Sequence, residues 1–310
     1  MKKIICAIYI ALIFGLSACN DEVKPAPGTF ELDLNVSTEY QMDDFFTEFV
    51  FNKIGGVFYW NDVLFVTDKY ENRIYVFTSD GNLIRTIGET GNGELQFLHP
   101  TAITYQSGLF YVLDNNNNRI QILNEDFTYN SERTLNEIPA DEQYVDIAVD
   151  EQSIAYVTTM YGVSKYAHIY EVFQNGVVLQ VGENFIGYIT NVGSEIWAAN
   201  KLEMFPKEYA SKTAHNYLYK VRNRELKLIK ELPYKYMPGD FIERNGNLYF
   251  LGGAKSTLDR FSLEGEYEET LFEFANRLRL DYLCGDENGD VFYVTSSEEN
   301  MIYRIKKAGL

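Results

Sequence analysis

Leu64-Phe65-Val66-Thr67-Asp68, followed by Asn72-Arg73-Ile74-Tyr75-Val76-Phe77, returns as Phe110-Tyr111-Val112-Leu113-Asp114 followed by Asn118-Arg119-Ile120-Gln121-Ile122. Each copy is an apolar run closed by Asp, a polar turn, and a second run opened by Asn-Arg-Ile. Short runs of aromatic and β-branched residues between polar turns are typical of β-strands. Residues 64–122 therefore contain the same pair of strands twice, which indicates a repeat fold.

Weaker copies of this unit continue to the end of the chain. Their first strands begin 41 to 52 residues apart, at Leu64, Phe110, Ala155, Ile196, Leu248 and Phe292. A partner strand follows each one, over Arg73–Phe77, Arg119–Leu123, His168–Phe173, Tyr217–Val221, Leu258–Leu263 and Met301–Ile305. Hairpin turns such as Asn175-Gly176 punctuate the units, because such turns need a positive φ. Six units of about 45 residues with about four short strands each predict an all-β, six-bladed β-propeller with four-stranded antiparallel blades.

The two ends of the chain indicate how this ring of blades closes. The sixth unit stops at Leu310, soon after its third strand, and lacks an outer fourth strand. Thr29 to Val36 alternates apolar and acidic residues, as an edge strand does. We expect this N-terminal strand to complete the sixth blade beside Met301–Ile305; a disordered extension is the alternative. Tyr40 to Phe51 is expected to cross toward the first blade.

The central repeats resemble a known family. Gly-Asn-Leu-Ile-Arg-Thr-Ile-Gly (81–88), Gly-Asn-Gly-Glu-Leu-Gln-Phe (91–97), Pro100 and the strands that follow are similar to the NHL-repeat β-propeller. The resemblance is specific over about residues 54–123 and weakens after residue 140, where the Asp and the Asn-Arg pair are lost from the turn. Relatives of this architecture include calcium lactonases and metal-dependent lyases, so the resemblance leaves an enzyme open.

Residues 1–18 have the features of a lipoprotein signal peptide. Lys2 and Lys3 precede an apolar run from Ile4 to Leu16, which is shorter than the roughly 20 residues that cross a bilayer. Leu16-Ser17-Ala18-Cys19 resembles the lipobox of bacterial lipoproteins, in which cleavage precedes a Cys that carries a diacylglycerol. A transmembrane helix and an ordinary secretory signal are the alternatives.

Residues 19–28 are interpreted as the lipidated Cys19 and a tether, and residues 29–310 as the propeller. Asn20 to Gly28 is polar and Pro-rich, as a flexible tether is. Asp21-Glu22 resembles the acidic export signals of Bacteroidetes surface lipoproteins. The whole resembles the six-bladed propeller lipoproteins of that group, which implies a lipid-anchored protein of the outer membrane, with the cell surface favoured over the periplasmic side.

The charge of the chain argues against two classes of partner. Without Lys2 and Lys3, 25 basic residues stand against 45 acidic ones, a formal charge of −20. Nucleic acid needs Lys and Arg to neutralise its phosphates, so nucleic-acid binding is not expected. Peripheral binding to anionic lipid is disfavoured for the same reason, which leaves the lipid on Cys19 as the membrane contact. Solubility is sufficient to explain the acidic surface.

Cysteine and histidine are too few for a metal cluster or a disulfide. Cys6 leaves with the signal peptide and Cys19 carries the lipid, so Cys284 is alone and is expected to be a small buried residue. His99, His168 and His215 lie far apart without ligand spacing. We expect no cofactor and no metal, although calcium in the central channel stays open.

The acidic and basic residues of the repeat turns have two interpretations. Asp68 and Arg73 in one copy, and Asp114 and Arg119 in the next, could line a polar ligand site on successive blades. The structural interpretation is favoured, in which Asp caps the turn amides and Arg pairs with a carboxylate. The run Asp114 to Asn118 lacks the Gly and Glu of an EF-hand loop, so a turn is favoured over a calcium site.

The repeat is longest at three connections, which predicts a binding rim. Loops after the second strand of a blade and loops between blades emerge on one face of a propeller, and loops on a rigid scaffold commonly carry function. Aromatic and basic residues in these loops suit a planar or carbohydrate-like partner. The candidate ligand-binding residues are Tyr161, Lys165, Tyr166, Phe205, Tyr209, His215 and Tyr236. Mutual packing of the loops is the alternative.

The sequence leaves the activity undecided and favours a role without catalysis. We find no Ser-His-Asp spacing, phosphate loop or zinc motif in it, although a site assembled from several blades would escape such a search. The expected function is a binding module for a glycan, a peptide or an envelope protein. The alternatives are a metal-dependent hydrolase, lactonase or lyase with a site in the central channel, and a scaffold in an envelope assembly.

Overall fold

The protein is described by a computed structural model over residues 32–43, 49–161, 167–182, 185–200, 216–233, 236–275 and 277–310, with the Tyr161 side chain left out. These residues form 26 strands, β1 to β26, and one 3₁₀ turn over Asn115–Asn117. Twenty-four of the strands make six four-stranded antiparallel sheets, and two short ones make a small parallel sheet. The predicted six-bladed propeller is confirmed.

The blades follow one another along the chain, with the innermost strand of each given first. Blade one contains β2 (Ile54–Trp60), β3 (Val63–Asp68), β4 (Arg73–Thr78) and β5 (Leu83–Ile87), and is followed by the short β6 (Glu89–Thr90) and β7 (Gln96–Phe97). Blade two contains β8 (Pro100–Gln106), β9 (Leu109–Asp114), β10 (Arg119–Asn124) and β11 (Tyr129–Thr134). Blade three contains β12 (Glu142–Val149), β13 (Ala155–Tyr161), β14 (Ile169–Val172) and β15 (Val178–Val181).

The second half of the ring repeats this order. Blade four contains β16 (Gly187–Val192), β17 (Glu195–Asn200), β18 (Tyr217–Arg222) and β19 (Glu225–Glu231). Blade five contains β20 (Pro238–Arg244), β21 (Asn247–Gly252), β22 (Thr257–Phe261) and β23 (Tyr267–Glu273). Blade six contains β24 (Leu280–Gly285), β25 (Val291–Ser296), β26 (Met301–Lys307) and, from the other end of the chain, β1 (Tyr40–Asp43).

Burial explains why the second strand of each blade is apolar on both faces. Strands β3 and β9 are buried along almost their whole length, because a neighbouring blade covers each face. Phe65 of blade one and Phe110 of blade two meet with ring centroids 5.0 Å apart. At Gly56, an added Cβ would lie 2.7 Å from the carbonyl oxygen of Thr101, so only glycine lets these two blades approach so closely.

The ring closes through an N-terminal strand, but not through the predicted segment. Strand β1 pairs with β26 from Tyr40↔Lys307 to Asp43↔Arg304. Asp43 accepts two hydrogen bonds from Arg304, at 2.8 and 2.7 Å. The prediction for Thr29 to Val36 is wrong, since Val36 instead bridges Thr270 of blade five, while Thr29 itself lies outside the described residues. The closing strand therefore comes from the segment that we expected to cross toward blade one.

Two faces of the ring are distinguished below. The hairpin face carries the tight turns that join the first and second strands of each blade, such as residues 61–62 and 107–108. The loop face carries the connections between blades and those between the second and third strands. Over the described ranges, none of the chain forms a helix long and apolar enough to span a bilayer.

Candidate functional site

The central channel holds a cavity of about 230 Å³. Its wall is formed by the innermost strands β2, β8, β12, β16, β20 and β24, so every blade contributes. It runs from the middle of these strands toward the ends that lie on the hairpin face. Its polar lining includes Gln106, Asp146, Asn191, Asp240 and Arg244.

Strand register places one residue of each blade at a common level of the channel. In each inner strand, the residue at this level is followed by an apolar residue that pairs with the middle of the second strand, as Ile103 pairs with Val112 and Ile147 with Val157. The six residues at this level are Gly56, Ala102, Asp146, Tyr188, Asp240 and Tyr282. Two carboxyl groups and two phenols thus alternate over four successive blades, and the other two blades contribute no bulk.

Each of the two aspartates is held by backbone amides of its own blade and of the next one. Asp146 accepts a hydrogen bond from the Ile147 amide at 2.8 Å and one from the Ile189 amide of blade four at 3.0 Å. Asp240 accepts from the Phe241 amide at 2.8 Å and from the Leu283 amide of blade six at 2.9 Å. These contacts fix both carboxyl groups relative to the cavity.

The two carboxyl groups hold their protons far more tightly than free aspartate does. Burial raises the pKa of Asp146 to about 7, although the two amides oppose this shift. Burial, followed by the negative charge of Asp146, raises the pKa of Asp240 well above its ordinary value. Like charges in a desolvated site cannot both form readily, so the pair keeps at least one proton near neutral pH.

Two tyrosines lie beside this pair. The rings of Tyr188 and Tyr282 meet edge to face with their centroids 6.2 Å apart. Burial raises the pKa of both phenols, and the charges of Asp146 and Asp240 raise the pKa of each further. Both hydroxyl groups therefore stay protonated and can donate hydrogen bonds.

Basic residues gather at the loop-face end of the channel. The Lys69 Nζ lies 5.9 Å from the centroid of the Tyr282 ring. Burial lowers the pKa of Lys69, and Lys53 and Arg279 lower it further against the opposing effect of Asp281. Burial also lowers the pKa of His99, whose Nδ1 is buried without a hydrogen-bond partner in the described structure.

The repeat-turn residues hold the loop face together. Asp68 accepts hydrogen bonds from the amides of Asn52, Lys53, Tyr70 and Glu71. Asp114 accepts from the Leu98 amide, the Asn117 side chain and Arg119, while Arg119 also pairs with Glu132 at 2.7 Å. Arg73 is exposed at the start of β4, opposite Asp68. In the structure, these aspartates and Arg119 act within and between neighbouring turns and do not line the channel cavity.

The predicted rim residues fall into two groups. Lys165, Tyr166, Phe205, Tyr209 and His215 lie outside the described residues, as does the side chain of Tyr161. Tyr236 is 1% exposed, packs against Phe250 and Phe261, and donates a hydrogen bond to Asp259 at 2.5 Å. The prediction of Tyr236 as a ligand-binding residue is therefore corrected, because its ring belongs to the core of blade five.

The channel donors do not fit a protein-built metal site. Among the described residues, no group of three or more His, Cys, Asp or Glu side chains is arranged so that it could hold a metal ion. Calcium takes six to eight oxygen ligands, whereas the cavity offers two carboxyl groups whose oxygens already accept amide hydrogen bonds. Cys284 is 2% exposed, and burial raises the pKa of its thiol.

Sequence reasoning missed Asp146 and Asp240. Both lie in inner strands, Tyr144-Val145-Asp146-Ile147 and Gly239-Asp240-Phe241-Ile242, whereas the recognisable repeat covers the second and third strands of each blade. Blades three and five have an acidic residue where blades one and two have Gly56 and Ala102, and this departs from the small or apolar residue expected in an inner strand. That departure is the signal that could have identified them.

A family model described as 6-bladed beta-propeller matches residues 46–247. Among curated proteins, none matches this sequence. Virginiamycin B lyase from Staphylococcus aureus has a similar structure, with a TM-score of 0.56, 14% identity, and coverage of 86% of this chain and 99% of the lyase. A luciferin-regenerating enzyme aligns with a TM-score of 0.57 and 13% identity over 84% of this chain and 93% of the enzyme.

The calcium-binding protein regucalcin from Agrobacterium tumefaciens aligns with a TM-score of 0.59 and 10% identity, over 83% of this chain and 90% of regucalcin. At such identities the likeness establishes the propeller fold. The solved structures that share it include two enzymes, which overturns the expectation of a non-catalytic binding module. Of the alternatives that the sequence left open, these structures favour an enzyme.

Proposed function

The chain belongs to the 6-bladed beta-propeller family, and we propose that it is an enzyme of the hydrolase or lyase class with its site in the central channel. The observation that carries this proposal is the pair of buried aspartates, Asp146 and Asp240, which line one cavity; burial raises the pKa of both, and the charge of Asp146 raises that of Asp240 further. Two neighbouring carboxyl groups with raised pKa values can supply both a general base and a general acid.

The two aspartates have distinct roles in this proposal. Asp146 has its pKa near 7, so its carboxylate is the base that removes a proton from an attacking water or from a carbon next to a carbonyl group. Asp240, whose pKa is raised well above its ordinary value by burial and by the charge of Asp146, is the acid that gives its proton to the leaving oxygen. One proton is taken up and one is released in each turnover, and a proton transfer from Asp146 to Asp240 restores the starting state.

Metal dependence is not part of this proposal. A calcium ion in the channel is suggested by the likeness to calcium-binding regucalcin. Asp146 and Asp240 are the two carboxyl groups that line the cavity, whereas calcium takes six to eight oxygen ligands. The acid–base chemistry is therefore assigned to the side chains alone.

Activity measurements on the two isosteric variants test this function. Purified protein is assayed on lactones, on aryl esters and on substrates that undergo β-elimination. Because general acid–base catalysis contributes at least about 100-fold, Asp146→Asn and Asp240→Asn should each lower kcat/KM by about that factor. Absence of turnover in all three classes, or variants as active as the wild type, would overturn the proposal.

Asp259→Asn is the matched control. Asp259 is also a fully buried aspartate with a pKa raised by burial, but it lies between strands of blade five and accepts hydrogen bonds from Thr257, Thr270 and Tyr236. Its replacement changes a buried charge away from the cavity. Activity per folded molecule should stay within about twofold of the wild type, since surrounding groups rather than substrate bind this carboxyl.

We also propose that Cys19 carries a diacylglycerol that anchors the enzyme to the outer membrane, with the cell surface favoured. The Leu16-to-Cys19 motif and the Pro-rich segment after it support this proposal. Metabolic labelling with a radioactive fatty acid measures it, with Cys19→Ala as the variant. Label retained by that variant would contradict the anchor.

A further inference from the structure

Arg244 is the basic residue of the channel cavity. It ends strand β20, four residues after Asp240. Because side chains alternate along a strand, residues 240 and 244 lie on the same side, and a rise of about 3.3 Å per residue separates their Cα atoms by roughly 13 Å. Both line the cavity. One wall therefore carries an acid in the middle of the channel and a cation toward the hairpin face.

The Arg244 guanidinium is fixed by neutral acceptors. Its Nε donates to the Gly285 carbonyl at 3.1 Å, and its Nη1 donates to the carbonyl of Glu243 at 2.7 Å. Three acidic residues, Glu243, Asp286 and Glu287, lie near enough to influence its charge. Within the described chain, however, no carboxylate comes within 4.0 Å of Arg244 to form an ion pair.

Two other arginines differ in this respect, whereas the buried Arg133 also donates to a backbone carbonyl, that of Val172, but does not line the cavity. Arg119 pairs with Asp114 at 2.9 Å, and Arg304 pairs with Asp43 at 2.7 Å. A guanidinium that is oriented by two carbonyls and lacks a carboxylate partner retains its Nη2 hydrogens for a ligand. Its planar fork matches a carboxylate with two parallel hydrogen bonds.

We propose that Arg244 binds a carboxylate of the substrate, so that the enzyme acts on small organic acids. This inference rests on the proposed function, because it assigns a substrate class to the same cavity. A carboxylate is favoured over a phosphate, since a doubly charged group would lie in a cavity that already contains Asp146 and Asp240. A volume of about 230 Å³ suits a small molecule, and the amides of Gln106 and Asn191 can complete the polar contacts.

Calorimetric titration without turnover tests this inference. The protein lacking residues 1–18 is titrated with acetate, benzoate and lactate, with acetamide, benzamide and lactamide as their neutral counterparts, and with inorganic phosphate. At least one acid should bind in preference to its amide. Arg244→Gln should weaken that binding about 10- to 100-fold, the value of a hydrogen-bonded charged group. Arg244→Lys, which keeps the charge without the fork, should fall in between.

Control variants separate this inference from the proposed function. Arg222→Gln removes an exposed arginine that pairs with Glu195 outside the cavity, and it should leave binding unchanged. Asp146→Asn and Asp240→Asn should bind the acid as tightly as the wild type or more tightly, even where turnover is lost. Circular dichroism verifies that each variant is folded.

Three results would overturn the inference. The first is that none of the acids binds at concentrations up to about 10 mM. The second is that the folded Arg244→Gln and Arg244→Lys variants bind the acid with the affinity of the wild type. The third is that inorganic phosphate binds in preference to every carboxylate. Failure of the turnover assays together with Arg244-dependent binding would remove the proposed reaction and keep the anion site.

Discussion

At the scale of single residues, three buried aspartates show that the same type of side chain can lie in two different kinds of environment. Asp259 is surrounded by the hydroxyl groups of Thr257, Thr270 and Tyr236, and burial raises its pKa to about 6. Asp146 and Asp240 instead accept backbone amides and line a cavity. Burial is the main cause of the raised pKa in all three, so location, not pKa, separates the structural carboxyl from the catalytic candidates.

The raised pKa values predict how stability depends on pH. A carboxyl group with a higher pKa in the folded protein binds protons there that the unfolded chain releases, so stability falls as pH rises from the ordinary pKa through the folded one. For Asp146 this window runs from its ordinary value of 3.8 to about 7. The Tm of the wild type should therefore fall between pH 5 and pH 8, measured by differential scanning calorimetry.

The Asp146→Asn variant isolates the contribution of this group. Its Tm should fall less over the same pH range, because asparagine does not titrate. Asp259→Asn serves as the comparison, with its change confined to a window that ends near pH 6. A Tm curve for Asp146→Asn that runs parallel to that of the wild type would show that Asp146 does not hold its proton in this way.

At the scale of elements, strand β1 is the outer strand of blade six, taken from the other end of the chain. It covers β26 along four residue pairs and adds the Asp43–Arg304 ion pair, in which Lys306 also takes part at 2.9 Å. Without β1, the backbone of β26 would be an exposed edge, which proteins avoid because it invites pairing with other chains. The element is short, but it joins the two ends of the chain.

Truncation on either side of β1 measures its contribution. Removing residues 1–43 should lower the free energy of unfolding by about 3 kcal/mol or more, since several hydrogen bonds of about 1 kcal/mol each and a bidentate ion pair are lost. Removing residues 1–31 keeps β1 and is the matched control. Chemical denaturation and light scattering give the stability and the aggregation state, and equal stability of the two truncated proteins would contradict the role of β1.

At the scale of the whole molecule, the axis of the ring brings together residues that are far apart in sequence. Asp146 and Asp240 lie in blades three and five, with one blade between them, and Arg244 reaches the same cavity from the end of β20. The cavity extends toward the hairpin face, whereas the predicted rim lies on the loop face. Short hairpins leave that end of the channel uncovered by long loops, so the proposed site and the predicted rim lie toward opposite faces of the ring.

Much of the fold followed from local patterns. The paired repeats around Asp68 and Asp114 predicted strands, turns and blade number, because each blade is a separate antiparallel sheet whose contacts are near in sequence. The proposed site was harder to predict from the sequence. Asp146 and Asp240 each appear as one acid in an apolar strand, and nothing near them in sequence indicates that their carboxyl groups share a cavity.

The sequence by itself determined the six blades, the all-β architecture and the polar contacts within each turn, since these depend on strand periodicity and on neighbours a few residues away. Only the tertiary structure decided that β1 rather than Thr29 to Val36 closes the ring, and that Asp146, Asp240 and Arg244 line one cavity. The physical reason is that channel contacts join blades separated by 40 to 100 residues, and their proximity is set by the closure of the ring rather than by any local preference of the chain.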